Sequence, residues 1–366
     1  MALVTEYYYP HIGGVSEHVH HFAAELRRRG HAVDIITGRI GHAAPTTGVI
    51  RLGTSVPVYS NGSHSRITVG RSLRRAMRET LREGAYDIVH VHAPFTPVLP
   101  LLAITEADCP VVGTVHTWFP RSALYSIFSR QLQQVARQLS VLIAVSPTAI
   151  HAYERYMDAD WHVVPNGIDL HAFRPDLPAP EGLGDDPYVL FVGRFDPRNA
   201  LDTMLQAFER VQRRVPRAKL VVVGDGPLRA YYRHLARGHR NVILTGTLLD
   251  ERPNYYANAA VYACPTTRAS FGMTLLESMA CATPIVCSDI VGFRDVVTAG
   301  QQALMVPTRS ATSLAASIER LLQDDGLSQR MGRLGWQTAQ QYGWPAVTDR
   351  VLALYDVARG VRRVAA

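Results

Sequence analysis

Lysine is nearly missing from this sequence: Lys219 is the only one among 38 basic residues in a chain of 366. The net charge of +7 is therefore arginine charge. Such a bias reflects composition as much as selection, so placement says more than the total. Cysteine is scarce too. Cys109, Cys264, Cys281 and Cys287 lie in apolar segments without C-x-x-C spacing, which argues against disulfides, a thiolate zinc site or a redox motif. No apolar run approaches the roughly 20 residues of a membrane span. The start, MALVTEYYYP, has neither the basic nor the apolar region of a signal peptide, so a cytoplasmic protein is expected. Short repeats and low-complexity tracts are absent as well.

What is present is an ordinary globular composition, 47% apolar and 19% charged, in a chain long enough for two domains of about 150 to 200 residues. ALVTEYY, HAVDIIT, YDIVHVH, PVVGTVH and VLIAVS are apolar runs of strand length separated by stretches with helical periodicity. A second series runs YVLFVGR, AKLVVVGDG, NVILTG, VYACPT and PIVCSD. Strands that are apolar throughout and alternate with helices imply parallel sheets covered on both faces, hence two doubly wound α/β domains. The expected division is a first domain over 1–169, a linker rich in Pro, Gly and Asp over 170–187, and a second domain over 188–344. The last stretch, 345–366, reads as a helix returning to the first domain.

In open parallel sheets ligands sit beyond the C-terminal strand ends, so those loops carry the candidate chemistry. YYYPHIGGVSEHV places Gly13 and Gly14 at a helix start, where backbone amides can meet a phosphate; the same pair also makes a plain strand-to-helix turn. TVHTWFPRS sets His116 at a strand end with Arg121 five residues on. FVGRFDPRNA sets Arg194 at the corresponding edge of the second domain, and guanidinium has the donor fork that suits a diphosphate. VVVGDGPLR supplies Gly224 and Gly226. The stretch from Cys264 to Asp289 reads as core packing, yet before its closing Asp289 it carries one carboxylate, Glu277, behind a Ser270-Phe271-Gly272 loop. A buried carboxylate needs a partner. Two phosphate-competent loops suggest a nucleoside-diphosphate ligand between the domains, whose ribose hydroxyls would pair with Glu277 in place of a protein group.

The segments GGVSEHV, VHVHAPF, VSPTAI, VPNGIDLHAFRP, FVGRFDPR, VVVGDGPLR and SFGMTLLESMACATPIVCSDIVGFRDVV together resemble the retaining glycosyltransferases of family four, over nearly the whole chain. Within that family the span from Val56 to Ala103 is most similar to bacterial phosphatidylinositol mannosyltransferases. The resemblance implies a GT-B fold, two Rossmann-like domains with a closing helix that crosses back. It also implies transfer of a hexose, mannose from GDP-mannose, to a phosphatidylinositol-like lipid at the inner membrane face. By position, it assigns the donor diphosphate to the Gly14 amide and Arg194, the ribose to Glu277, and the sugar to the Phe271 and Gly272 amides and to His116, with Ser270 in the same donor loop and Arg198 able to compensate in part for a charge the family has and this chain lacks. Tyr7, Asn61 and Arg121 fall at acceptor positions. Neither a metal nor another cofactor is implied, the nucleotide sugar being a co-substrate.

Two positions depart from the family. A glutamate usual eight residues before Glu277 is Ala269 here, and the family's Arg-Lys-Gly reads Arg198-Asn199-Ala200. Losing one charge-assisted contact costs about 1.5–3 kcal/mol, so a catalytically weak or silent nucleotide-sugar binder is one alternative. The same chemistry on a soluble inositol phosphate or another glycolipid is a second. Arg71, Arg74, Arg75, Arg78 and Arg82 form a stripe at helical spacing, which is either a solvated face or a dock for anionic lipid. Nucleic acid is not expected, since no binding module accompanies the charge. Asp158 and Asp160 read as solvated loop carboxylates. His18, His20, His21, His90 and His92 have no third ligand nearby in sequence, so a structural or substrate-cleft role is expected of them rather than zinc.

Overall fold

The computed structural model describes residues 1–11, 13–41, 45–60, 63–239 and 241–365. The chain divides into two compact units, 1–167 with 344–366, and 168–343. Residues 170–187 belong to the second unit.

The first unit runs β1 (Ala2–Thr5), α1 (Gly14–Arg28), β2 (Asp34–Gly38), β3 (Val49–Leu52), β4 (Thr54–Ser60), β5 (Ser63–Val69), α2 (Leu73–Gly84) and β6 (Val89–His92). It continues through α3 (Leu99–Glu106), β7 (Val111–Val115), α4 (Ala123–Ile127), α5 (Ser129–Ala136), β8 (Val141–Ala144), α6 (Pro147–Tyr153) and β9 (Trp161–Val163). Seven strands form a sheet in the order β3-β2-β1-β6-β7-β8-β9, every pairing parallel. Along β1 and β2, Leu3 and Ile35 enter one apolar cluster while Ala2, Val4 and Ile36 enter another. That two-sided burial is why these strands read as unbroken apolar runs. One face is covered by Val19, Phe22 and Leu26 of α1, the other by Leu73, Met77 and Leu81 of α2 with Leu99 and Ala103 of α3.

The second unit holds β10 (Tyr188–Val192), α7 (Leu201–Arg214), β11 (Lys219–Val223), α8 (Arg229–Ala236), β12 (Val242–Gly246), α9 (Arg252–Ala257) and β13 (Val261–Cys264). There follow α10 (Met273–Ala280), β14 (Ile285–Ser288), α11 (Val291–Arg294), β15 (Ala303–Val306), α12 (Ala311–Gln323) and α13 (Asp325–Ala339). Its six strands order as β12-β11-β10-β13-β14-β15. The order reverses between β10 and β13, and in the first unit between β1 and β6. Such switch points are where open α/β sheets bind ligands.

The closing helix α14 (Trp344–Ala365) belongs to the first unit, as expected of it. Trp344, Val347, Val351, Tyr355 and Ala358 recur at spacings of three and four and join the α1 cluster. Arg29 anchors the helix start, donating to the Pro345 carbonyl at 2.7 Å and to Asp349 Oδ1 at 2.5 Å.

Candidate functional site

In the first unit, β1 delivers Glu6 and Tyr7 to the switch point. Glu6 is fully buried, accepting from Thr68 N (3.2 Å), Thr68 Oγ1 (2.5 Å) and Leu99 N (3.1 Å). These donors are neutral, and desolvation outweighs them, raising the Glu6 carboxyl to about 6. Tyr7 is half-buried, its amide donating to Thr5 Oγ1 at 3.0 Å and its ring 5.8 Å from that of His11. Gly13 is extended at φ 174°, a conformation open to any residue. A Cβ on Gly14 would meet nothing within 4 Å among the described residues, so the start of α1 is open at this position.

His116 follows β7 and lies against two other imidazoles. His92 Nδ1 and His116 Nε2 share a hydrogen bond of 3.0 Å, their rings stacked at 5.2 Å, and His18 of α1 meets His116 edge-on at 4.8 Å. One nitrogen from each of His18, His92 and His116 lies within 4.8 Å of the others. The third imidazole that sequence spacing lacked therefore comes from the end of a different strand, β6 and β7 being paired neighbours. Behind them His90 bonds Thr114 Oγ1 and Tyr355 Oη, each at 2.7 Å. Burial is the main cause that holds His18 down at about 4 and His90 at about 3, and pushes His92 and His116 well below the usual imidazole range. These imidazoles are neutral at pH 7.

Arg121 lines a cavity of about 580 Å³ with Ser126, Glu154, Arg155 and Tyr156. The adjacent Ser122 amide donates to Tyr156 Oη at 2.7 Å, which fixes this loop. Asn61 lies outside the described residues.

In the second unit the loop after β10 is stitched to the loops after β11 and β13. Phe195 N donates to Asp225 O, and Leu228 N to Phe195 O. Gly224, at φ 141°, sits so close to the Arg194 loop that a Cβ would lie 2.0 Å from Gly193 O, so only glycine fits. Asn199 Nδ2 donates to the Arg194 carbonyl at 2.8 Å, while Asn199 Oδ1 accepts from Thr266 Oγ1 at 3.2 Å. Thr267 N donates to Arg198 O at 2.8 Å. The residue standing where the family has lysine thus ties the Arg194 loop to the β13 loop. Arg194 is half-buried, and Arg198 is exposed with Asp196 3.7 Å away.

Ser270, Phe271 and Gly272 lead into α10, and Phe271 is buried with its ring 6.1 Å from Tyr342. Glu277, one turn into the helix, is buried, and its partner corrects the expectation of a ribose in place of a protein group. Oε1 accepts from Arg252 Nη2 of α9 at 3.0 Å. Arg252 in turn lies 5.7 Å over the Phe173 ring. A buried carboxylate requires compensation whether or not a ligand is bound, and a guanidinium supplies it. Tyr256, also on α9, is pushed well above the usual phenol range by burial and by the Glu277 charge. Nothing in DERPNYY marks Arg252 as that partner.

The arginine stripe lies elsewhere, on the outer face of α2. Arg71 precedes the helix, so the helical stripe is four arginines rather than five. Arg74 and Arg78 both bond Glu106, at 2.5 and 2.6 Å, and Arg75 bonds Glu79 at 2.7 Å. Arg82 is exposed. Asp158 and Asp160 join no metal-competent group among the described residues.

Residues 12–172 match the family described as Glycosyltransferase Family 4, and residues 186–324 match Glycosyl transferases group 1. The chain is 30% identical over 367 residues to the phosphatidyl-myo-inositol mannosyltransferase of Mycobacterium tuberculosis, covering 98% of this chain and 97% of that one. It is 28% identical to the D-inositol 3-phosphate glycosyltransferase of Kribbella flavida, covering 94% and 91%. Among solved structures it is similar to HepE from Anabaena in complex with UDP. That likeness has a TM-score of 0.79 and 18% identity, covers 97% and 99% of the two chains, and speaks to the fold alone.

Proposed function

The chain belongs to the family-four glycosyltransferases and has the GT-B fold, and from that premise we propose that it moves mannose from GDP-mannose to a phosphatidylinositol-like lipid, with retention and without a metal. The observation that carries the donor reading is the placement of Arg194 after β10 and of the Ser270–Glu277 stretch after β13, the adjacent strands flanking the switch point. Arg194 would neutralise the diphosphate as the sugar–phosphate bond breaks, with Arg198 and the Gly14 amide contributing further donors. Ser270, Phe271 and Gly272 would lie along the sugar. Glu277, oriented by Arg252, would accept from the ribose hydroxyls. The acceptor hydroxyl forms the new bond to the anomeric carbon on the face the phosphate leaves, and its proton passes to the departing diphosphate. Neutral His116 would lie beside that face, and Tyr7, Asn61 and Arg121 would hold the acceptor.

The match to a D-inositol 3-phosphate glycosyltransferase favours a second reading, with a soluble inositol phosphate as acceptor. Ala269 and Asn199 motivate a third, a silent nucleotide-sugar binder. A peripheral position at the inner membrane face is part of the first reading; among the described residues no helix is long and apolar enough to cross a membrane. Incubating the full chain with radiolabelled GDP-mannose and either phosphatidylinositol vesicles or inositol phosphate separates these. Lipid-extractable label is expected. Label on inositol phosphate alone would support the soluble acceptor, and donor binding without turnover on any acceptor would overturn transfer.

A further inference from the structure

We propose that His18, His92 and His116 form a site for one borderline divalent transition ion, with Zn²⁺ the best fit. The three side chains converge from α1, the end of β6 and the loop after β7, and one nitrogen from each lies within 4.8 Å of the others. Zinc–imidazole bonds of about 2.0–2.1 Å place tetrahedral ligand nitrogens about 3.3 Å apart. His92 Nδ1 and His116 Nε2 are already near that spacing at 3.0 Å, and a His18 nitrogen lies within 4.8 Å of the others.

The donor set selects the ion. It holds imidazole nitrogen and neither carboxylate nor thiolate, which disfavours Mg²⁺ and Ca²⁺ and suits Zn²⁺, Co²⁺, Ni²⁺ or Cu²⁺. The surroundings resemble those that orient metal-binding histidines. His90 stacks on His92 at 4.4 Å while held by Thr114 and Tyr355, and the Asn166 side chain faces both His18 and His116. His116 keeps 9% exposure, enough to mark the side on which an ion enters and a fourth ligand binds. The ion takes no part in sugar transfer. By engaging His116 it would block the transfer proposed above, an effect that rests on that reading, whereas binding itself does not.

The test is spectroscopic and needs no enzyme assay. Tag-free full-length protein, stripped with a chelator and dialysed, is titrated with Co²⁺ while the visible d–d absorption is recorded, and Zn²⁺ is then added. A saturable signal at one equivalent, displaced by Zn²⁺, is expected. His18→Gln and His92→Phe should each weaken Co²⁺ binding by at least about tenfold, and His171→Gln, at an exposed position, should leave it unchanged. Circular dichroism identifies a variant that fails to fold, and the other then decides. No saturable signal in the parent protein, or equal binding by a folded His18 or His92 variant, overturns the site. Failure of sugar transfer leaves this result untouched, and failure of Co²⁺ binding leaves the transfer reading untouched.

Discussion

The two sheets offer different chemistry at equivalent edges. The first presents imidazoles kept neutral by burial, and even its buried acid, Glu6, is held by amides and a hydroxyl. The second presents fixed charge: Arg194 and Arg198 on one loop, Glu277 braced by Arg252 beside the next. One topology thus supports both a neutral edge, suited to hydroxyls and a sugar ring, and a charged edge, suited to a diphosphate and ribose. Fold sets the place, and a handful of loop residues set the task.

The comparison breaks most visibly at the braced acid. Truncating one partner of a buried pair costs about 3–5 kcal/mol, so Glu277→Ala or Arg252→Ala should each lower stability by that order in chemical denaturation. The double variant Glu277→Leu with Arg252→Met should recover much of it while donor binding stays lost. If the double variant still binds the donor, the carboxylate serves packing only. Next comes Arg194→Ala, expected to lower the transfer rate about 10²–10³-fold, or about 2.7–4 kcal/mol, in a radiolabel assay, with the melting temperature unchanged.

A smaller effect distinguishes the neutral edge. The folded-state value of Glu6, about 6 against an ordinary 4.5, means the folded chain holds the proton more tightly. This contribution is complete below about pH 4.5 and falls by about 2 kcal/mol as pH rises through about 6. Glu6→Gln should flatten that part of the stability–pH curve; an unchanged curve would show Glu6 to be ordinary. The smallest effect belongs to α2. Because Glu106 engages Arg74 and Arg78, and Glu79 engages Arg75, the Arg75→Gln variant should change affinity for anionic vesicles less than about threefold in co-sedimentation.

Ten of the strands are legible as apolar runs: nine are parallel strands buried on both faces, and β12, an edge strand half-buried throughout, still carries Val242, Ile243 and Leu244 in succession. The others lacked that signature for separate reasons. β9 is three residues with two exposed, and β3 and β15 are four residues each, partly buried at or near sheet edges. The β4–β5 pair sits outside the main sheet, and its signal, Asn61-Gly62 between alternating segments, was there to be read as a hairpin. Arg194, His116 and Glu277 could be placed because strand ends in such sheets carry chemistry. Arg252 and the imidazole triad could not. Their partners come from separate elements brought together only by strand order, and no local spacing encodes that.

Whether Arg194 grips the donor's diphosphate is decided by calorimetric titration of the full chain and its Arg194→Ala variant with GDP and with guanosine. GDP binding should be at least about tenfold weaker in the variant, with guanosine affinity changed less than about twofold. Equal GDP affinities, or equal losses for both ligands, would contradict it.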